Sequence, residues 1–406
     1  MAGQGMSVVV QACYFIALAR LLGTHQYGLL VGATALIALV SQHSSMGSGF
    51  IFLRYVSPDL SKFGVYWGYV IVATLLGASV IVTALTLLSH WILPSMDPRA
   101  VVCLAIGDCL FLQITNNAGR VFQTFERMHF SAASSLIVNV LRLGTAFGML
   151  KFLHHATATN WAVASMAVSA VGSLMAITLI TTVFGRPRWS SSLIRTHTVE
   201  GLLFSSSTTT SSVFNDIDKV LLGHYGMTVA NAIYAMAYKA IDTSFMVIRS
   251  IYNAAFPTFC REGALGVVAT RKFAKRLLGK TFWISLAISV TLFLCAPLIP
   301  IFVGKAFTPS VLALRYLCII PVLRSCHMGA GDALAGAGFQ RTRFLYELGA
   351  AAANLGLNLW LIPLYSWKGA TISSLLTDGG LALVSWKAVS IMVAREKKRE
   401  ALKATV

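Results

Sequence analysis

Long apolar runs follow one another along the whole of this 406-residue chain, and the gaps between them are mostly under fifteen residues. A helix that crosses a bilayer needs about 20 mostly apolar residues. Its backbone groups must then be satisfied within the helix, because lipid offers no hydrogen bonds. Twelve runs pass that test, near 4–22, 27–52, 64–93, 99–120, 130–153, 158–184, 199–224, 228–257, 278–303, 309–338, 343–365 and 368–394. The gaps leave no room for a soluble domain. The shorter alternating segments of a transmembrane β-barrel are absent.

Lysine and arginine orient the spans. Alternate connections and the tail hold twenty of them, including Arg54, Lys62, Arg120, Arg127, Arg186, Arg188, Arg195, Arg341 and Arg343. The intervening connections hold Arg99, Lys151, Lys305 and Lys368 alone. Basic residues mark the cytoplasmic side, so both termini are expected in the cytoplasm, with the chain multi-pass in the cytoplasmic (inner) membrane. That requires an even number of spans. The net charge of +18 then reflects topology, and no nucleic-acid partner is expected. Ala17-Leu18-Ala19 resembles a signal-peptidase site, but no basic residue precedes the apolar run, so an uncleaved first span is expected. Seven scattered cysteines without a CxxC, and a lone His154-His155 pair, point to no disulfide framework, no metal and no cofactor.

The chain echoes itself. Leu21-Leu22-Gly23 with Tyr27-Gly28 is matched by Leu221-Leu222-Gly223 with Tyr225-Gly226. The copies lie about half a chain apart, with six spans to each half, which is the arrangement of parallel repeats. The expected fold is an all-α polytopic membrane protein, with twelve transmembrane helices in two six-helix bundles around a central cavity. The bundles are expected at residues 1–190 and 191–406.

Eight basic residues fall inside the spans: Arg20, Arg142, Lys219, Lys239, Arg249, Arg315, Arg324 and Lys387. A charge at the bilayer centre costs about 2.5–3.5 kcal/mol on insertion scales, so such groups face a protein interior or a wet cavity. Arg20 and Lys219 lie near span ends, where long stems reach the interface. The stretch Asn215-Asp216-Ile217-Asp218-Lys219-Val220-Leu221-Leu222-Gly223 reads as helix, with Lys219 in reach of Asn215 and Asp216. Upstream, the hydroxyls Ser205 to Ser212 either line a cavity or bond back to their own helix. In span eight, Lys239, Asp242 and Arg249 share one stripe, either a self-neutralised packing pair or a cationic wall. Arg142 and Asp108 lie at the centres of spans five and four, where a direct pair is expected, structural or working. Arg324 and His327 share a face of span ten, with Asp332 beyond them. Glu347, Asn354 and Asn358 share a stripe of span eleven, and Asp378 is deep in span twelve. Gly28 and Gly32, Gly144 and Gly148, and the glycines between Gly329 and Gly338 permit close helix approach.

Walker A, HExxH and GxSxG patterns are missing. A polymerase or ligase would need a large outer loop with catalytic residues, and the outer connections reach only about ten residues. Export of small cationic molecules would favour acid over base inside the membrane, the reverse of what stands here. A transport-inactive scaffold is a further alternative.

Leu18-Ala19-Arg20-Leu21-Leu22-Gly23 with Tyr27-Gly28 resembles the opening of Wzx-type polysaccharide and O-antigen flippases, members of the multidrug/oligosaccharidyl-lipid/polysaccharide exporter superfamily. Asp218 to Gly223, Ala235 and Pro257, then Asn354-Leu355-Gly356-Leu357-Asn358-Leu359-Trp360-Leu361-Ile362-Pro363 and Gly369-Ala370, resemble later motifs of that family in order. The chain opens close to its first span, short of that family's basic leader. The resemblance implies alternating access and an undecaprenyl-diphosphate-linked oligosaccharide as cargo, moved from the cytoplasmic to the outer leaflet for polysaccharide biosynthesis. It implies a polymerase and glycosyltransferases as pathway partners, and membrane lipids around the chain. Arg142, Lys239, Arg249 and Arg324 are the candidate cations for the anionic headgroup. Asp108, Asp218, Asp242 and Asp332 are the candidate counter-ions or proton carriers.

Overall fold

The first expected span and most of the second form one helix, α1 (Ala2–Ser44), while the end of the second span turns at Met46 and Gly47 into a separate helix. Helix α1 is interrupted at Gly23, whose φ of 64° and ψ of 179° lie outside the helical region. A residue without Cβ takes that conformation at little cost. The computed structural model of the chain describes residues 2–153 and 155–404, apart from the side chains of 2–8, 191–192, 207–214, 399–400 and 402–404. His154 and the hydroxyls from Ser207 to Ser212 therefore lie outside the described residues. The chain divides into two compact units, Met1–Ala232 and Ile233–Val406.

In the first unit α1 is followed by α2 (Ser48–Val56), α3 (Phe63–Ile92), α4 (Pro98–Ala105), α5 (Leu112–Thr124), α6 (Met128–Phe152), α7 (Ala158–Phe184) and α8 (Ser191–His224). Helix α9 (Thr228–Gly263) carries the chain into the second unit. There follow α10 (Val267–Cys295), α11 (Ile299–Val303), α12 (Pro309–Leu317), α13 (Ile320–Gly336), α14 (Gln340–Tyr365) and α15 (Trp367–Ala404). The stretch from Asn215 to Gly223 is helix, inside α8. Among the described residues, nine helical segments are long and apolar enough to cross a membrane. The halves 1–190 and 191–406 follow span count. The compact units follow packing, and α8 is placed in the first unit by its contact with α1.

Helix α7 shows the packing rule. It buries Ala162, Ser165, Ser169, Gly172 and Ala176, which recur at three- and four-residue steps on one face. It exposes Val163, Val171, Leu174 and Met175. Small residues inside and large apolar residues outside suit lipid surroundings, where close backbone approach rather than water exclusion joins helices. Gly28 and Gly32 act this way. A Cβ on Gly28 would overlap the Thr228 carbonyl, and one on Gly32 would lie 3.3 Å from the Gly223 Cα. The glycines after the first Leu-Leu-Gly thus pack against Gly223 of the second and against Thr228, within the first unit. Gly144 and Gly148 differ from that expectation. Nothing among the described residues lies within 4 Å of a Cβ placed on either.

Helix ends gather by charge. At one end of the first unit, the Arg188 amide donates to the Gly64 carbonyl at 2.7 Å. The Phe125 and Phe184 rings stack there at 4.2 Å, with Arg127 over Phe184. These connections carry Arg54, Lys62, Arg127, Arg186 and Arg188. At the other end, the Ala158 amide donates to Gln26 Oε1 at 2.9 Å, and Thr159 Oγ1 donates to Asp97 at 3.1 Å. In the second unit, both carboxylate oxygens of Glu396 accept the Val267 and Val268 amides at 3.1 Å, on the side of Arg261, Arg341 and Arg343.

Candidate functional site

Span four is not a plain α-helix. Asp97 caps α4 by accepting the Arg99 amide at 2.9 Å, with Pro98 in the first turn, a strong helix start. A π-helical turn, Ile106–Phe111, then separates α4 from α5. Such turns often sit at functional positions, and this one carries Asp108. The Asp108 carboxylate lies 3.9 Å from Arg142 of α6. Arg142 Nη2 also donates to Ser169 Oγ of α7 at 3.1 Å, while its Nε finds no hydrogen-bond acceptor. The expected pair is therefore formed, loosely, and the guanidinium keeps capacity to spare.

Lys219 does not reach outward. Its side chain is 11% exposed and folds back on α8, donating to the Asn215 carbonyl at 2.6 Å and to Asp216 at 2.8 Å. Its neighbour Asp218 is buried, accepts the Lys219 amide at 2.7 Å, and stands 3.9 Å from the Lys219 ammonium. Snorkelling is replaced by local pairing, because two acids and a carbonyl are nearer than the interface. Arg20 is exposed, as a residue reaching outward should be.

The second unit builds a denser network. Arg324 of α13 is 5% exposed. Its Nη1 donates to Asp242 of α9 at 2.9 Å, and its Nε lies 3.7 Å from Asp378 of α15. Its Nη2 donates to the Tyr238 hydroxyl at 3.4 Å, and the guanidinium lies over the Tyr238 ring at 5.4 Å. Asp378 is 1% exposed and also stands 3.5 Å from His327 Nε2. Neither Asp378 oxygen accepts a hydrogen bond, so its charge rests on the nearby Arg324 guanidinium. Such a cluster is costly to bury and more costly to break. Asp242, with a side chain 47% exposed, is its accessible edge.

The remaining candidates separate. Asp332 pairs with Arg343 at 3.1 Å, and Arg343 also holds Glu347 at 2.8 Å. Glu347 is thereby drawn away from Asn354 and Asn358; Asn358 donates to Asn354 Oδ1 at 2.9 Å, and Asn354 donates to hydroxyls of α15. Lys239 is half-buried, while Arg249 is exposed and lies over the Phe245 ring at 5.9 Å. The stripe of span eight thus splits, and Asp242 turns to Arg324 of α13. Among the described residues no cluster is placed to hold a metal ion.

Three features escaped the sequence. Asp378 as the hub for Arg324 and His327 joins residues far apart in the chain. The π-turn under Asp108 has no residue signature. A cavity of about 320 Å³ in the first unit, lined by Gln42, Asn116, Asn117, Arg120 and Gln123, includes an arginine that reads as a topology marker.

Long apolar helices packed through small residues, with ion pairs buried between them, define a polytopic helical membrane protein. A multidrug resistance MATE family transporter of the MOP superfamily, in an inward-facing conformation, has a similar fold (TM-score 0.72, 15% identity, 96% of each chain covered). So has the lipid II flippase MurJ in an inward closed conformation (TM-score 0.77, 11% identity, 96% of this chain and 87% of that one). No curated protein matches by sequence. The chain belongs to the family described as polysaccharide biosynthesis protein, which matches residues 1–262.

Proposed function

We propose that the chain is a membrane transporter that flips an undecaprenyl-diphosphate-linked oligosaccharide from the cytoplasmic to the outer leaflet of the inner membrane. Family membership and the fold shared with a lipid II flippase support the reading. The observation that carries it is Arg142, a cation deep in a membrane helix whose one acidic partner among the described residues, Asp108, stands at 3.9 Å and whose Nε is unused. A diphosphate offers several charged oxygens at hydrogen-bond geometry, a better acceptor for a guanidinium than one distant carboxylate. In the second unit, cargo meets Arg324 by displacing the half-exposed Asp242, while Asp378 stays with Arg324 on the buried side. Lys239 and Arg249 add attraction from α9. Asp108, Asp218, Asp242 and Asp332 serve as counter-ions, and a carboxylate freed by cargo is a natural proton acceptor.

Twelve crossings follow when Val9–Val56 counts as two, since its 48 residues exceed a single crossing, and when α8 and α9 count as one each. The basic ends of both units then face the cytoplasm with both termini. Glycosyltransferases supply the cargo and a polymerase consumes it. Small-molecule export is the second reading, favoured by the fold shared with a multidrug transporter. Cells lacking the native gene test the choice. Wild type restores surface polysaccharide, while Arg142→Ala and Lys239→Ala, present in the membrane at normal levels, do not. Full polysaccharide with both variants contradicts the proposal.

A further inference from the structure

The cavity of the first unit lies where the C-terminal end of α1, the start of α2, α5, α6 and α8 meet. Gly49 keeps it open. A Cβ there would strike Asn117 Oδ1 and lie 2.6 Å from Arg120 Cδ. The Arg120 guanidinium lies over the Phe50 ring, 3.7 Å from its centre. The other partner of that ring is Phe204, stacked at 5.7 Å and 14°. The guanidinium therefore rests on an aromatic platform before any ligand arrives. Among the described residues it meets no carboxylate and no hydrogen-bond acceptor, and the side-chain amides of Gln42, Asn116 and Gln123 bond to nothing.

A topology marker needs only a charge at a helix end. It needs neither an aromatic platform nor a ring of amides with unused donors and acceptors. Amides pair with vicinal hydroxyls as both donor and acceptor, and a fixed guanidinium accepts a carboxylate in two parallel bonds. A single cation among neutral amides suits one negative charge on a polyhydroxylated ring better than a diphosphate. The volume is at the small end of ligand pockets, which run from roughly 300 to 1,000 Å³, and so matches a small sugar unit. We propose that this cavity binds an acidic sugar, a carbohydrate ring bearing a carboxylate, as the glycan-selecting site of the transporter. The inference rests on the flippase reading for its place in transport, though not for binding itself.

The test is ligand-observed NMR on the full chain in lipid nanodiscs, which detects weak ligands. The probes are glucuronate, glucose and inorganic phosphate. Undecaprenyl diphosphate without sugar is measured separately. Glucuronate is expected to bind, with glucose at least ~10-fold weaker for want of the charge-assisted pair. Arg120→Gln abolishes the glucuronate signal, and Arg120→Lys, which preserves the topological charge, weakens it. Asn116→Ala, an exposed position, also weakens it without loss of folded protein. Glucuronate binding that is absent, or unchanged in Arg120→Gln and Asn116→Ala, overturns the inference. Equal displacement by phosphate overturns its sugar part. Undecaprenyl diphosphate binding without glucuronate binding removes the cavity proposal and leaves the flippase reading standing. Glucuronate binding without undecaprenyl diphosphate binding does the reverse.

Discussion

The two compact units treat buried charge in opposite ways. The first holds Arg142 loosely, with one acid at 3.9 Å and one hydroxyl, and elsewhere carries a cavity where Arg120 and the amides of Gln42, Asn116 and Gln123 make no hydrogen bond among the described residues. The second holds Arg324 tightly, with Asp242 at 2.9 Å, Tyr238 and Phe245 rings around it, and Asp378 behind. A saturated network fixes helices, whereas an unsaturated one is available to something else. The same residue type thus sits among acids and rings in one unit and keeps an unused donor in the other.

The comparison is broken or sharpened by how stability and export separate. Arg324→Ala is expected to have the largest effect, about 3–5 kcal/mol of lost stability, because it strips buried Asp378 of its arginine partner. Thermal unfolding in detergent reads this, and adding Asp378→Asn should restore part of the loss. Survival of the single variant at wild-type stability shows that the network is not structural. Gly28→Val follows at about 1–3 kcal/mol or more, since its side chain overlaps the Thr228 carbonyl. The matching change at Gly144, with open space around it, should leave the melting temperature unmoved. Arg142→Ala should cost less than Arg324→Ala, about 1.5–3 kcal/mol, and yet remove export. Arg249→Ala is the smallest, within about 0.5 kcal/mol because the residue is exposed, with a partial fall in export.

Much of this was readable from residue order. Depth within an apolar run is enough to single out Arg142 and Asp108, because charge at the bilayer centre must find a partner. Lys219 and Asp216 meet because three residues make nearly one helical turn. The arrangement of acids around Arg324 was not readable. Asp242 and Asp378 reach it from α9 and α15, and helix phase within one span says nothing about which neighbour it faces. Arg249 shares a stripe with Asp242 on paper, but seven residues along a helix is two turns, long enough for one to be covered by α13 and the other exposed. Arg120 was hidden for a different reason. At a connection, a basic residue already has a sufficient explanation in topology, so only the Phe50 platform and the surrounding amides reveal a second role.

The most direct test of the central claim uses proteoliposomes loaded on one leaflet with undecaprenyl-diphosphate-linked oligosaccharide, scored by access of an added glycosidase to the other leaflet. Wild type should make the glycan accessible, and Arg142→Ala, folded and reconstituted at the same density, should leave it protected. Equal accessibility with both proteins would mean that the loosely held cation of the first unit is not used by the cargo.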